Sequence, residues 1–252
     1  MTTSQTQTYA NPVYAWFVVL VLALANCVSF IDRLILSLLV QPIKADLQIS
    51  DTAFSLLAGA AFAIFYCGMG LLIARWADRY SRKWIITTGI VLWCSMTTLA
   101  GTARSYAQLF LYRIGVGVGE ATLSPSAYSM LAGYFPPQRL SLAIGVFSAG
   151  VTAGTGLAYL LGGATIAWVM SQGTVTWPIV GDISGWRLVM VVIGLLGLPV
   201  ALLMLSSRNL RARNRVRRPR CRRLALTSKR ISHAMGTFLP ATARPPSRPS
   251  QS

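Results

Sequence analysis

Of 252 residues, 54% are apolar and 12% charged, about half the charged fraction of a soluble domain, which is about 25%. That composition, with a mean hydropathy of +0.56, excludes a soluble single domain. The formal charge of +17 is uneven: residues 1–207 hold ten Lys and Arg with all six acids, and residues 208–252 hold thirteen basic residues and no acid. The cysteines, Cys27, Cys67, Cys94 and Cys221, show no metal or disulfide spacing and read as small buried hydrophobes.

A helix needs about 20 apolar residues to cross a hydrocarbon core of about 30 Å. Six stretches qualify, at Tyr14–Val40, Thr52–Arg75, Trp84–Ala103, Ala107–Tyr134, Leu142–Met170 and Trp186–Leu205. The expected fold is therefore all-α, a polytopic membrane protein. Residues 1–13 form a cytoplasmic segment, 14–205 a six-helix bundle, and 206–252 an Arg/Pro-rich basic tail too charged to order itself. The first span is not a cleaved signal, because no base precedes it and its apolar run exceeds a signal core.

Local signals divide the spans. Pro42 ends the first, Ser50 and Asp51 are N-cap candidates for the second, and Pro136 with Pro137 close the fourth. Ser171 to Gly185 reads as an external loop, with Trp177 and Trp186 as interfacial aromatics. The bases Arg75, Arg79, Arg82, Lys83 and Arg139 and the thirteen of the tail lie on one side. Only Lys44, Arg104 and Arg187 lie on the other, so both termini are cytoplasmic by the positive-inside rule. Gly115 with Gly119, and Gly150 with Gly154, have GxxxG spacing that lets helix backbones approach. The run Gly115 to Gly119 is no phosphate loop, because it lies within a helix with no strand before it. Pro125 and these glycines make the fourth span easy to bend, freeing carbonyls near Ser124 to line a wet cavity.

Four ionisable residues fall inside spans: Asp32 and Arg33 in the first, Arg113 and Glu120 in the fourth. Such residues cost several kcal/mol unless paired or hydrated, which marks them as functional candidates. Arg113 and Glu120, seven apart, return to within about 20° of one helix face. At about 1.5 Å per residue, Asp32 and Arg113 share a level and Glu120 lies deeper. The spacing predicts an Asp32–Arg113 salt bridge, with Glu120 turned to the same cavity as a proton-coupling group. Structural ion pairing between the two spans is the alternative. In the loop after the second span, Asp78 stands among Arg75, Arg79, Arg82 and Lys83, where a salt-bridged latch between helix ends would explain it.

These residues resemble the amino-terminal half of a major facilitator superfamily transporter. Ala74 to Lys83 is similar to that superfamily's loop signature, GxLaDrxGrRR. Asp78, Arg79, Arg82 and Lys83 match, while Ala74 and Ser81 replace glycines and Trp76 replaces leucine. The spinster-like branch is resembled by Asp32-Arg33 with Ser37, by Pro42 to Leu47, by Ile49 to Thr52 and by Ala61-Phe62 with Phe65-Tyr66. It is resembled most specifically by the string from Arg113 through Gly119-Glu120-Ala121 and Pro125 to Pro136. The resemblance covers residues 14–205. It implies proton-linked movement of a small amphipathic or anionic substrate through a cavity lined by the first and fourth spans. It also implies twelve spans in two halves, so a missing second half is needed for the cavity.

Three functions follow as expectations. The first is half of a proton-coupled secondary transporter for a lipid-like or organic-anion substrate, inactive alone, with Asp32 and Glu120 as candidate proton sites and Arg33 and Arg113 as anion partners, and with an organic-acid symporter of the same superfamily as its alternative. The second is a non-transporting membrane anchor whose tail binds anionic lipid, at about 1 kcal/mol per base. Nucleic acid is not expected, because Phe238 is the tail's one aromatic. The third is a truncated product whose last 45 residues come from another reading frame. No enzyme and no cofactor are expected, since the one histidine, His233, lies in the tail and no nucleophile–base set or metal cluster exists.

Overall fold

The computed structural model describes residues 11–77, 80–172, 174–177 and 181–207. The chain divides into two units, Met1–Arg211 and Ala212–Ser252, and the described residues belong to the first. Of the expected tail, residues 208–252 lie outside the described residues.

Helix α1 spans Pro12–Leu38. The Asn11 side chain caps it by accepting from the Val13 amide at 3.1 Å, and Pro12 occupies the first turn, where its missing N–H costs nothing. Pro42 does not end this helix in place. It lies inside a separate helix, α2 (Val40–Leu47), and acts four residues upstream. A proline ring clashes with the carbonyl at i−4, here Leu38, which is the last residue of α1.

Ser50 caps α3 (Asp51–Ser55), its hydroxyl accepting from the Ala53 amide at 3.2 Å. A π-helical turn, Leu56–Ala61, leads into α4 (Phe62–Ala77). Helix α5 spans Arg82–Ala100 and α6 spans Tyr106–Glu120, the latter capped by Ser105. Pro125 follows a break at Ala121 and Thr122, and α7 continues over Leu123–Tyr134. Phe135 is extended and Pro137 opens α8, Pro137–Gln172.

The expected loop after α8 contains an antiparallel hairpin, β1 (Thr174–Trp177) with β2 (Gly181–Ser184), in the register Thr174↔Ser184. Helices α9 (Gly185–Leu196) and α10 (Leu198–Ser206) follow, parted at Gly197. Trp186 is not an interfacial anchor, because it is fully buried at the start of α9. Cys27 and Cys94 are buried as expected, whereas Cys67 is exposed because α4 turns that face outward.

Among the described residues, five helical stretches are long and apolar enough to cross a membrane: Pro12–Leu38, Asp51–Ala77, Arg82–Ala100, Pro137–Ala164 and Gly185–Ser206. The remaining stretch, Tyr106–Tyr134, is divided by the bend into helices of 15 and 12 residues. Helix α1 is central and packs along α8, while α5 packs on α6, α7, α9 and α10. Two apolar clusters build the interior. One gathers Val18, Leu22, Ile90, Trp93, Leu131 and Phe147, and the other gathers Ile31, Ile35, Leu57, Leu109, Trp186 and Ile193. The α1–α8 contact is close enough to need glycine: a Cβ on Gly150 would stand 2.3 Å from the Ala23 carbonyl oxygen, and one on Gly154 2.4 Å from that of Cys27.

Candidate functional site

Asp32 and Arg33 are neighbours on α1, so their side chains leave the helix about 100° apart and meet different partners. Asp32, 2% exposed, turns to α5, where its Oδ2 accepts a 2.6 Å hydrogen bond from the Thr97 hydroxyl. Arg33 turns to α6, where its guanidinium forms an ion pair with Glu120 and its Nε donates to Oε2 at 3.2 Å. The Glu120 side chain is fully buried and that of Arg33 is 26% exposed. Charge-assisted bonding of this kind is what allows a carboxylate at that depth.

The Asp32–Arg113 salt bridge expected from depth is not formed. Among the described residues, Glu120 takes Arg33 and Asp32 takes Thr97. A shared level is not enough, because the rotation of α1 about its axis points Asp32 at α5. Arg113 is buried, and its charge acts on both Asp32 and Glu120. Its guanidinium lies 5.0 Å from the centre of the Phe62 ring. Phe62 also faces Arg33 at 4.6 Å, so the two cations share one ring, and Tyr66 stacks on it at 5.4 Å. The rings of Phe30 and Tyr66 complete the surround of Arg33 at 4.8 and 5.0 Å. Ring faces carry negative potential, which attracts the two guanidinium groups. Phe62 is placed there by the π-helical turn that ends one residue before it.

Arg33 and Glu120 line a cavity of about 150 Å³ with Asn26, Ser29, Ser124 and Tyr128. Ser124 reaches the cavity because the helix breaks at Ala121 and Thr122. Three buried polar atoms around the site have no hydrogen-bond partner among the described residues: Asp32 Oδ1, Arg113 Nε and Glu120 Oε1. An unpartnered buried polar atom costs about 1–3 kcal/mol. The site thus holds a paired cation and anion beside a second cation and anion that are only partly satisfied, and a change of protonation can re-pair such a set.

Sequence reasoning missed Thr97, for which the sequence carries no signal, and did not assign Phe62 and Tyr66 to the site. In the loop after the second span, Asp78 and Arg79 lie outside the described residues. Lys83 donates to the Leu205 carbonyl at 2.5 Å, a cation at the C-terminus of α10 where the helix dipole favours one. Arg82 Nε is buried without a hydrogen-bond partner among the described residues.

The sequence profile of the Major Facilitator Superfamily matches residues 22–242. The chain is 37% identical over 195 residues to an MFS-type efflux pump of Mycolicibacterium smegmatis, covering 77% of this chain and 42% of that protein. It is 29% identical over 147 residues to protein spinster of Drosophila melanogaster, covering 58% and 24%. A crystal structure of a bacterial homolog of the human lysosomal transporter Spinster, inward-facing and unoccupied, superposes with a TM-score of 0.74 at 34% identity. That match covers 89% of this chain and 50% of the other. The chain spans about half the length, or less, of the relatives it matches.

Proposed function

As a member of the major facilitator superfamily and of its spinster-like branch, the chain carries an all-α transporter half, and we propose that this half belongs to a proton-coupled secondary transporter. The observation that carries the reading is the part-buried Arg33–Glu120 ion pair on the wall of a cavity that also holds hydroxyl and amide groups. Beside it, Asp32, which we read as a second proton site, has one oxygen unpartnered among the described residues, and Arg113 supplies a second buried positive charge. Protonation of Glu120 removes the charge that holds Arg33, so proton uptake and substrate contact at Arg33 are linked. Arg33 and Arg113 are the groups that would attract an anionic head, and the rings of Phe30, Tyr66, Tyr128 and Phe147 suit an apolar portion. The substrate class is therefore a small amphipathic or anionic molecule.

The topology proposed has six crossings, counting the bent α6–α7 pair as one, with both termini cytoplasmic. Asp78, Arg79, Arg82 and Lys83 then form the cytoplasmic gating motif, and the basic tail meets anionic lipid. The chain alone does not transport, since alternating access in such folds rocks one half against the other around a midplane site.

The reading is tested at Glu120 in a transporter that joins this half to a second one. Glu120→Gln is expected to abolish pH-driven uptake and to spare counterflow exchange. Equal loss of both would make Glu120 structural and remove the proton coupling.

A further inference from the structure

Threonines in an apolar helix ordinarily return their hydroxyl hydrogen to a carbonyl of their own preceding turn. Thr88, Thr98 and Thr155 do so, to the carbonyls of Trp84, Cys94 and Val151, each at 2.8 Å. Thr97, one residue before Thr98 on the same helix, does not. Its hydroxyl crosses to α1 and donates to Asp32 Oδ2 at 2.6 Å, with both residues 2% exposed. A hydroxyl has one hydrogen, so this donation leaves the carbonyl of its own helix and commits Thr97 to Asp32. The second carboxylate oxygen, Oδ1, has no partner.

We propose that Thr97 is a positioning residue for Asp32, holding Oδ2 as an acceptor and leaving Oδ1 as the oxygen that takes up and releases a proton. The inference rests on the reading of Asp32 as a proton site. The step is a simple protonation: an O–H bond forms at Oδ1 with a proton delivered by water, and the same bond breaks on release. A hydrogen bond to one oxygen fixes the carboxyl plane and supports the charged form, so the second oxygen is presented in one orientation. The other charged or titratable groups acting on Asp32 are Arg113 and Glu120 from α6, Arg33 from its own helix, and Cys94 from α5. None of these replaces the Thr97 bond, because among the described residues Asp32 accepts from Thr97 alone.

Two substitutions separate positioning from packing. Thr97→Val keeps the shape and removes the donor, and Thr97→Ser keeps the donor and removes a methyl group. The probe is N,N′-dicyclohexylcarbodiimide, an apolar reagent that modifies protonated carboxyl groups. It is applied across a pH series to the purified 252-residue chain in lipid nanodiscs, and adducts at Asp32 and Glu120 are read separately by peptide mass spectrometry. The pH at half-maximal Asp32 labelling is expected to move upward by about one unit or more in Thr97→Val, as loss of a hydrogen bond to a charged group implies. Thr97→Ser is expected to return it to the wild-type value, with Glu120 labelling unchanged in both variants. An unmoved Asp32 midpoint in Thr97→Val overturns the positioning role and leaves the proton-site reading standing. Equal movement at Glu120 overturns it as well, by showing a general change in packing. Absence of Asp32 labelling at every pH in the wild-type chain overturns both.

Discussion

Asp46, on α2, accepts four hydrogen bonds from the start of the sixth span: from the Ser184 hydroxyl at 3.0 Å, the Trp186 indole N–H at 3.1 Å, and Arg187 Nε and Nη2 at 3.2 and 2.8 Å. Partial burial raises its pKa, but hydrogen bonds and charge from Arg187, with those from Ser184 and Trp186, outweigh it and hold the carboxyl below its ordinary value. A folded-state value below the unfolded one means stability that is present above the unfolded pKa of about 3.9 and is lost as pH falls through the folded value. Asp46→Asn is expected to lower Tm by about 2–4 °C at pH 7. The gap should close below about pH 4, as thermal unfolding of the solubilised protein would show. A gap that persists at low pH would mean that shape rather than charge holds the contact. The sequence alone marked Asp32, Arg33, Arg113 and Glu120, because charge inside an apolar run is visible in one dimension. It could not mark Thr97 or give Asp46 a partner, because both are defined by a residue on another helix, 65 positions away for Thr97 and Asp32.

At the scale of elements, the two faces of α8 make opposite demands on glycine. Gly150 and Gly154 lie against the backbone of α1, whereas a Cβ on Gly145 or Gly156 would meet nothing within 4 Å. Gly150→Ala is therefore expected to destabilise by about 1–3 kcal/mol through overpacking. Gly156→Ala is expected to be neutral or stabilising by up to about 1 kcal/mol, through helix propensity. Thermal unfolding of the pair in one detergent would check the contrast, and equal effects would contradict the observed packing. The GxxxG spacing was legible, but which of the α8 glycines touch a neighbour was not, since several share similar surroundings in sequence. The bend in the fourth span follows from Pro125, whose missing N–H leaves the Ala121 carbonyl without its helical donor. The break before the sixth span's second half, at Gly197 and Pro199, follows from the same chemistry.

At the scale of the whole molecule, the proposed orientation places residue 174 outside. In a background lacking the four native cysteines, Thr174→Cys should react with an impermeant thiol reagent applied to intact cells. Reaction only after permeabilisation would reverse the topology. The 252-residue chain reconstituted into liposomes with an imposed pH gradient is expected to show no saturable uptake of a lipid or an organic anion, because alternating access in such folds rocks one half against another; saturable uptake would refute this. Five of the six apolar stretches, their limits to within a few residues, the Ser50 cap and the presence of buried charge were determined by the sequence by itself. Each depends on the solvation or backbone chemistry of a short contiguous window. Which charges pair was decided by tertiary structure: Arg33 reaches Glu120 across 87 positions, Asp32 takes a hydroxyl instead of Arg113, and Trp186 is buried on Asp46 instead of anchored at an interface. Partner choice depends on the axial rotation and depth of each helix. Those are set jointly by all the side chains packed between helices, a sum that no single window of the chain contains.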